Sequence, residues 1–401
     1  MEEAADSRNA APRSALAGAT VMQVLPSLEN DSVSRAAFDS ALALLRMGAR
    51  AIVAGNGGPL IGELQASGGE WMQLPLGRSR MTGSRLTRHV RQLITEERVD
   101  LVHAHGFDVA ADIIGATEGT PTRLLTSYIH AAPRRSLFPS FRRKPRAYGD
   151  AVVVPSAFAG DFVSRQYTVE RARIVILPRT VDTAWFDARA VSAERLAAVR
   201  DAWQIGRQRI VLAPGRIAEG KGQMALIEAA RALLNGGLRD VVFVIAGSRH
   251  SDAGRIKMVD DAIIAHGLRS IFRRVGPCPD MPAAYAAAAF VCVPGQRATL
   301  FSEIAAEAQA MGRPVIASDV GALREAVLTA RQVGAGRRTG WLAPPQDPLD
   351  LARVIADALA LGPEEWRALC TRSREFAEWK HAPARVAELT LQTYAAMLGP
   401  D

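Results

Sequence analysis

The chain has 401 residues, 48% of them apolar and 22% charged, which excludes a disordered or low-complexity polymer and predicts two domains of comparable size. No stretch approaches the roughly 18 uninterrupted apolar residues of a membrane span, and the acidic start Met1-Glu2-Glu3-Ala4-Ala5-Asp6 is unlike a basic secretory signal, so a cytoplasmic protein is expected. The net charge is +8, carried by 45 arginines and only four lysines, Lys144, Lys221, Lys257 and Lys380.

In chain order, a flexible tail over 1–19 precedes short apolar runs at 20–25, 51–54, 101–105, 124–128, 151–154 and 174–177. These read as strands, and helical patterns separate most of them. The helix predicted over 33–46 carries Ala36, Ala43 and Leu44 at helical spacing, as a sheet-covering helix should. A second set of apolar runs follows at 210–213, 241–246, 290–293, 315–317 and 341–343. Continuous apolar runs of this kind belong to parallel sheets covered on both faces. After Pro345 the sequence reads as helix through Leu398. The expected fold is α/β, with two Rossmann-like doubly wound domains over 20–180 and 208–378. A connector over 181–207 marks the cleft, and a terminal helix over 379–401 packs back towards the first domain.

Between residues 134 and 146 six cations, Arg134, Arg135, Arg142, Arg143, Lys144 and Arg146, occur without an acid and with Leu137, Phe138 and Phe141 among them. This mixture suits an anionic membrane surface, at about 1 kcal/mol per cation near the headgroups. A solvated loop is the alternative. No nucleic-acid motif accompanies the patch, so no nucleic-acid partner is expected. Cys278, Cys292 and Cys370 form neither a disulfide framework nor a metal cluster and read as small buried apolar residues. No metal and no cofactor are expected.

The most specific local signal is Gly215-Arg216-Ile217-Ala218-Glu219-Gly220-Lys221-Gly222-Gln223, between a predicted strand and a helix. Its glycines let backbone N–H groups approach an anion, and Arg216 and Lys221 add charge-assisted bonds to phosphate oxygens. The spacing is not that of a Walker loop. A second constellation runs from Phe301 to Asp319. Ser302 can cap a helix whose N–H groups favour an anion. Glu303 and Glu307 lie four apart, on one helical face, and a carboxylate there can accept two hydrogen bonds from a vicinal diol, as on a ribose. His103 and His105 alternate onto one face at a strand end, placed to contact an acceptor or donor sugar, or simply to satisfy a neighbouring carbonyl.

With these residues the sequence resembles the retaining glycosyltransferases of family 4, which have the GT-B fold of two facing Rossmann-like domains. Gly215 to Gly222 matches that family's G-R-x4-K-G motif and continues into Leu226-Ile227-Glu228-Ala229. Asp280 to Tyr285, Glu307-Ala308 with Gly312 to Ser318, and Gly340 to Pro345 match in order, so the likeness spans Val21 to Leu398. The resemblance implies metal-independent transfer of a sugar from a nucleotide diphosphate sugar, with retention at the anomeric carbon. By the same resemblance Arg216 and Lys221 hold the diphosphate, Glu307 holds the ribose, and Phe301, Ser302 and Glu303 face the donor sugar and phosphate. Gly215 opens the donor loop, and the loop carrying Cys278 flanks the base.

Three positions depart from the family. Eight residues before Glu307, where a first glutamate is usual, stands Thr299. The N-terminal Gly-Gly loop reads Asn30-Asp31-Ser32-Val33-Ser34-Arg35, whose side chains hinder close backbone approach. The histidine after the strand at 124–128 is His130, one residue later than in the family. The leading expectation is a glycosyltransferase acting on an envelope glycan or lipid-linked acceptor, in lipopolysaccharide or polysaccharide biosynthesis, peripheral at the inner membrane face. The alternative is a degenerate homologue that binds nucleotide sugar, or a partner transferase, without turnover.

Overall fold

The computed structural model describes residues 15–29, 31–76, 83–128 and 149–399. It divides into two compact units: the chain up to Thr180 together with the chain from Pro383, and Val181–Ala382.

In the first unit the strands are β1 Thr20–Val24, β2 Arg50–Gly55, β3 Glu70–Gln73, β4 Leu101–His105, β5 Arg123–Ser127, β6 Ala151–Val154 and β7 Ile174–Ile176. They lie in the order β3-β2-β1-β4-β5-β6-β7, and every pairing is parallel. The central strands β1 and β4 are buried throughout, as expected of strands covered on both faces. The strand order reverses between β1 and β4, so the connections leave their carboxyl ends in opposite directions and open a crevice. Gln23 pairs with His103 in register, and His105 with Ser127, which puts these polar side chains at that crevice.

The second unit repeats the plan with β8 Arg209–Pro214, β9 Val241–Ala246, β10 Phe272–Val275, β11 Phe290–Val293, β12 Val315–Ser318 and β13 Gly340–Ala343. Their order is β10-β9-β8-β11-β12-β13, with the reversal between β8 and β11, so β8 occupies the place of β1.

The doubly wound α/β class is as the sequence predicts, but two strands escape prediction. These are β3, Glu-Trp-Met-Gln, and β10, Phe-Arg-Arg-Val. Each is a short edge strand that remains partly exposed and therefore carries polar side chains.

Residues 181–207 are not a separate connector; they group with the second unit. Their helix Ala193–Ala202 packs on the helix Met281–Ala287, Val199 and Trp203 enter the core, and Arg195 pairs with both oxygens of Asp280 at 2.7 and 2.8 Å. The chain leaves the second unit after the helix Pro363–His381, where Ala382 is extended and Pro383 cannot continue the helix. The helix Pro383–Leu398 then packs on the helix Ser32–Arg46 of the first unit, adding Val386, Ala387, Leu391 and Tyr394 to its core.

Candidate functional site

In the second unit the turn after β8 is built by three left-handed glycines. Gly215, Gly220 and Gly222 have φ of 116°, 77° and 80°, values that cost other residues about 1–3 kcal/mol. A Cβ on Gly222 would lie 1.6 Å from the carbonyl oxygen of Pro294, so the turn presses directly on the loop after β11. Gln296 N donates to Gly220 O across the same contact at 2.9 Å. Gly222 heads the helix Gln223–Asn235 without a side-chain cap, leaving the first-turn N–H groups and the positive end of the dipole uncompensated by any side chain.

Arg216 and Lys221 are both exposed on this turn. Neither has an acidic partner among the described residues, because the turn's own acid, Glu219, is engaged by Arg297 and Arg255. Desolvation, and then the charge of Arg216, hold the Lys221 ammonium below its ordinary value. Two cations that repel each other at an uncapped helix start form an anion site with the charge and donors a diphosphate needs.

After β11 the helix Glu303–Ala310 begins at Ser302, whose Oγ accepts from Ala305 N at 3.3 Å. Glu303 is exposed, and Glu307 one turn later is half-buried. Desolvation pushes the Glu307 carboxyl up to about 7, opposed by a hydrogen bond from Tyr285 and reinforced by the charge of Glu303. Tyr285 Oη donates to Glu307 Oε2 at 2.7 Å. In the segment Asp280 to Tyr285 the tyrosine ring is fully buried, as a core aromatic would be. The available signal is the hydroxyl, which needs a partner when buried.

Phe301 meets the ring of His381 edge-on at 5.5 Å. Thr299 is partly buried, and its carbonyl accepts from Ala322 N at 3.0 Å. Cys278 follows β10, with Sγ 3.3 Å from Asp280 O and its thiol pushed up by desolvation. Of the three cysteines, only Cys292 is fully buried, as the sequence led us to expect; Cys278 and Cys370 are half-buried. Gly215, Arg216, Lys221, Cys278, Thr299, Phe301, Ser302, Glu303 and Glu307 thus all follow the carboxyl ends of β8, β10 and β11, the edge where doubly wound sheets bind ligands.

The corresponding turn of the first unit is organised differently. Asp31 accepts from Val33 N and Ser34 N at 3.0 and 2.8 Å. Ser34 Oγ accepts from Glu29 N at 3.0 Å, and Arg179 donates to Ser32 Oγ. The donors of this helix start are consumed internally, which is a different reason for a closed turn from the side-chain hindrance predicted.

His103 and His105 are buried and line a recess with Ser32, Tyr128, Arg179 and Thr390. Both nitrogens of His103 are engaged, Nδ1 with Tyr394 Oη at 2.6 Å and Nε2 with Ser127 Oγ at 2.7 Å. Burial, and then the nearby His105, lower its pKa well below the ordinary value. His105 Nε2 bonds Gln23 Oε1 at 3.0 Å, and burial lowers its pKa to about 4. Of the two readings of His103, the structure shows the internal one, with both ring nitrogens bonded to side chains of the same unit and burial favouring the neutral form. His105 Nδ1 has no partner among the described residues. His130 and the basic residues Arg134, Arg135, Arg142, Arg143, Lys144 and Arg146 lie outside the described residues.

Residues 208–360 match the family model described as glycosyl transferases group 1, and residues 33–185 the model described as glycosyltransferase family 4. The chain belongs to these glycosyltransferases. Among relatives of this glycosyltransferase chain, the D-inositol 3-phosphate glycosyltransferase of Kineococcus radiotolerans is 31% identical over 243 residues, 57% of this chain and 53% of the relative. The chain spans about half the length of the curated relatives it matches. A glycosyltransferase structure from Rickettsia africae superposes with a TM-score of 0.77 at 20% identity, covering 96% of this chain and all (100%) of that one. HepE from Anabaena, solved with UDP and glucose, gives 0.68 at 17% identity over 94% and 99% of the two chains. At such identities the likeness is one of fold, and that fold is GT-B.

Proposed function

We propose that this protein transfers a glycosyl residue from a nucleoside diphosphate sugar to a hydroxyl acceptor. The observation that carries the reading is the turn from Gly215 to Gly222, where Arg216 and Lys221 stand without acidic partners among the described residues at an uncapped helix start. As the bond to the anomeric carbon breaks, negative charge grows on the leaving diphosphate, and these two cations stabilise it. Glu307 would hold the ribose diol, and the N–H groups of the helix start behind Ser302 would meet the sugar and phosphate. HepE's complexes with UDP and UDP-glucose support a nucleotide sugar as donor. Retention at the anomeric carbon follows the family likeness.

The recess of the first unit fits the acceptor: hydroxyl and imidazole groups face it beside the apolar Val33, Ala36 and Leu177. An envelope glycan or lipid-linked acceptor at the inner membrane face agrees with the basic composition of residues 134–146, and no helix among the described residues is long and apolar enough to cross a membrane. The structural neighbour WaaG is a glycosyltransferase involved in lipopolysaccharide biosynthesis. The name of the curated relatives points instead to a small phosphorylated cyclitol, for which Arg179 is the cation in the recess.

Calorimetry with UDP, GDP and ADP tests the donor site. Arg216→Ala and Lys221→Ala should each weaken binding by about 1.5 to 3 kcal/mol, the scale of a charge-assisted hydrogen bond. Unchanged affinity in both folded variants rules the site out. A second reading, binding without turnover, is favoured by Thr299 and by the Asp31 carboxylate that fills the first unit's helix start. Nucleotide binding without transfer or donor hydrolysis would establish it.

A further inference from the structure

We propose that Tyr285 is a positioning residue for the nucleotide: its hydroxyl fixes one oxygen of Glu307 so that the other faces the vicinal diol of the ribose. This rests on the ribose-holding reading of Glu307. A carboxylate on a helix surface rotates about its terminal torsion, which is broad and roughly two-fold, and fixing that torsion before a diol binds removes an entropic cost from recognition. The geometry supplies the restraint. Tyr285, on the helix Met281–Ala287, is fully buried in the core of the second unit, and Phe186 meets its ring edge-on at 5.9 Å, so the hydroxyl is a fixed point. From there it reaches Glu307 Oε2 at 2.7 Å.

Three cations on the elements packed against the helix Glu303–Ala310 are committed elsewhere. Arg374, on the packed helix Pro363–His381, binds the carbonyls of Ala310, Phe186 and Thr183 and the Glu378 carboxylate. Lys380 on the same helix donates to Glu325 O at 2.8 Å, and Arg324 of the helix Leu323–Ala326 pairs with Asp319 at 2.7 Å. Glu303, one turn before Glu307, contributes a like charge. Tyr285 is thus the group among those described that holds the Glu307 carboxylate in its charged form against burial and the Glu303 repulsion.

The test is the Tyr285→Phe variant, which removes only the oxygen, studied beside Glu307→Gln. Glutamate labelled with ¹³C at the side-chain carboxyl, assigned by Glu307→Gln, reads the protonation of Glu307 without any ligand. Its midpoint, near neutral in the parent, should rise by about one pH unit in Tyr285→Phe. Uniform replacement of tyrosine by 3-fluorotyrosine, a stronger donor, should lower it and needs no variant to fold. Affinity for whichever of UDP, GDP and ADP binds best should fall about tenfold in Tyr285→Phe, and the preference over the 2′,3′-dideoxy analogue should shrink with it. A Tyr285→Phe protein that keeps both the midpoint and the preference overturns the positioning role while leaving the ribose reading intact. A Glu307→Gln protein that keeps the parental preference overturns the ribose reading itself, whatever the titration shows, and absence of binding by all three nucleotides does the same.

Discussion

The turns after β1 and β8 occupy the same place in two sheets of matching order, yet they treat their helix starts in opposite ways. After β1, Asp31 caps the helix Ser32–Arg46 and neutralises its dipole. After β8, Gly222 leaves the helix Gln223–Asn235 without a side-chain cap, and Arg216 and Lys221 raise the positive potential further. A helix start is a potential anion site on any such sheet, but the residue at the cap decides whether the site is spent on the fold or kept for a ligand. The same contrast runs through the titratable groups. The first unit buries neutral imidazoles whose partners are its own side chains, whereas the second half-buries a carboxyl at about 7 beside a like charge.

The sharpest way to break the comparison is at Gly222. A Cβ there would overlap Pro294 O while the backbone is left-handed, so Gly222→Ala should destabilise the second unit by about 3 kcal/mol or more and abolish nucleotide affinity. Denaturant unfolding checks it, and a variant with parental stability would show that the turn does not depend on this close approach.

Next in size is acid sensitivity. In the unfolded chain each imidazole takes a proton near 6.5, but folded His105 resists protonation down to about 4. Between those values the unfolded state binds more protons, so stability falls as pH falls, by about 3 kcal/mol for His105 in the limit. Glu307 acts in the opposite sense: its folded carboxyl titrates at about 7 against an ordinary 4.5, so its cost grows as pH rises through that window. Because the two groups offset each other in the parent, the reading is the difference between parent and His105→Asn: in urea unfolding across pH 7.5 to 4.5 the parent should lose about 3 kcal/mol more than the variant as pH falls, and identical slopes would contradict the assignment.

The smallest effect sharpens the comparison most. Asp31→Ala should cost about 1 kcal/mol, the value of a helix cap, and leave nucleotide affinity unchanged. An affinity that rises when the cap is removed would mean that the freed N–H groups of Val33 and Ser34 reach the diphosphate.

What the sequence revealed follows from how local each feature is. Strands such as β1, β4 and β9 are buried through their length and largely apolar because both faces are covered, and this can be read without a structure. The strands β3 and β10 could not be, since Glu70 and Gln73 in one and Arg273 and Arg274 in the other interrupt the apolar pattern. The turn after β8 was legible because its glycines and cations lie within nine residues (215–223) directly after the strand end. Tyr285 was not, because it meets Glu307 from 22 residues away, and its ring resembles packing until its hydroxyl is placed. Asp31 stood in the region singled out, but only the hydrogen bonds show it acting as a cap rather than as an obstacle.

The helix Pro383–Leu398 has a consequence for the order of assembly. It supplies Tyr394 to His103 and Leu391 to the first core, yet it is synthesised after every residue of the second unit. On the ribosome the second unit therefore has all its strands available while the first still lacks one wall of its recess and a partner for a buried imidazole. Closing that wall joins residues 291 positions apart, a long loop whose entropy is spent last, and domains generally fold as units. The first unit to be translated is thus the last to be completed.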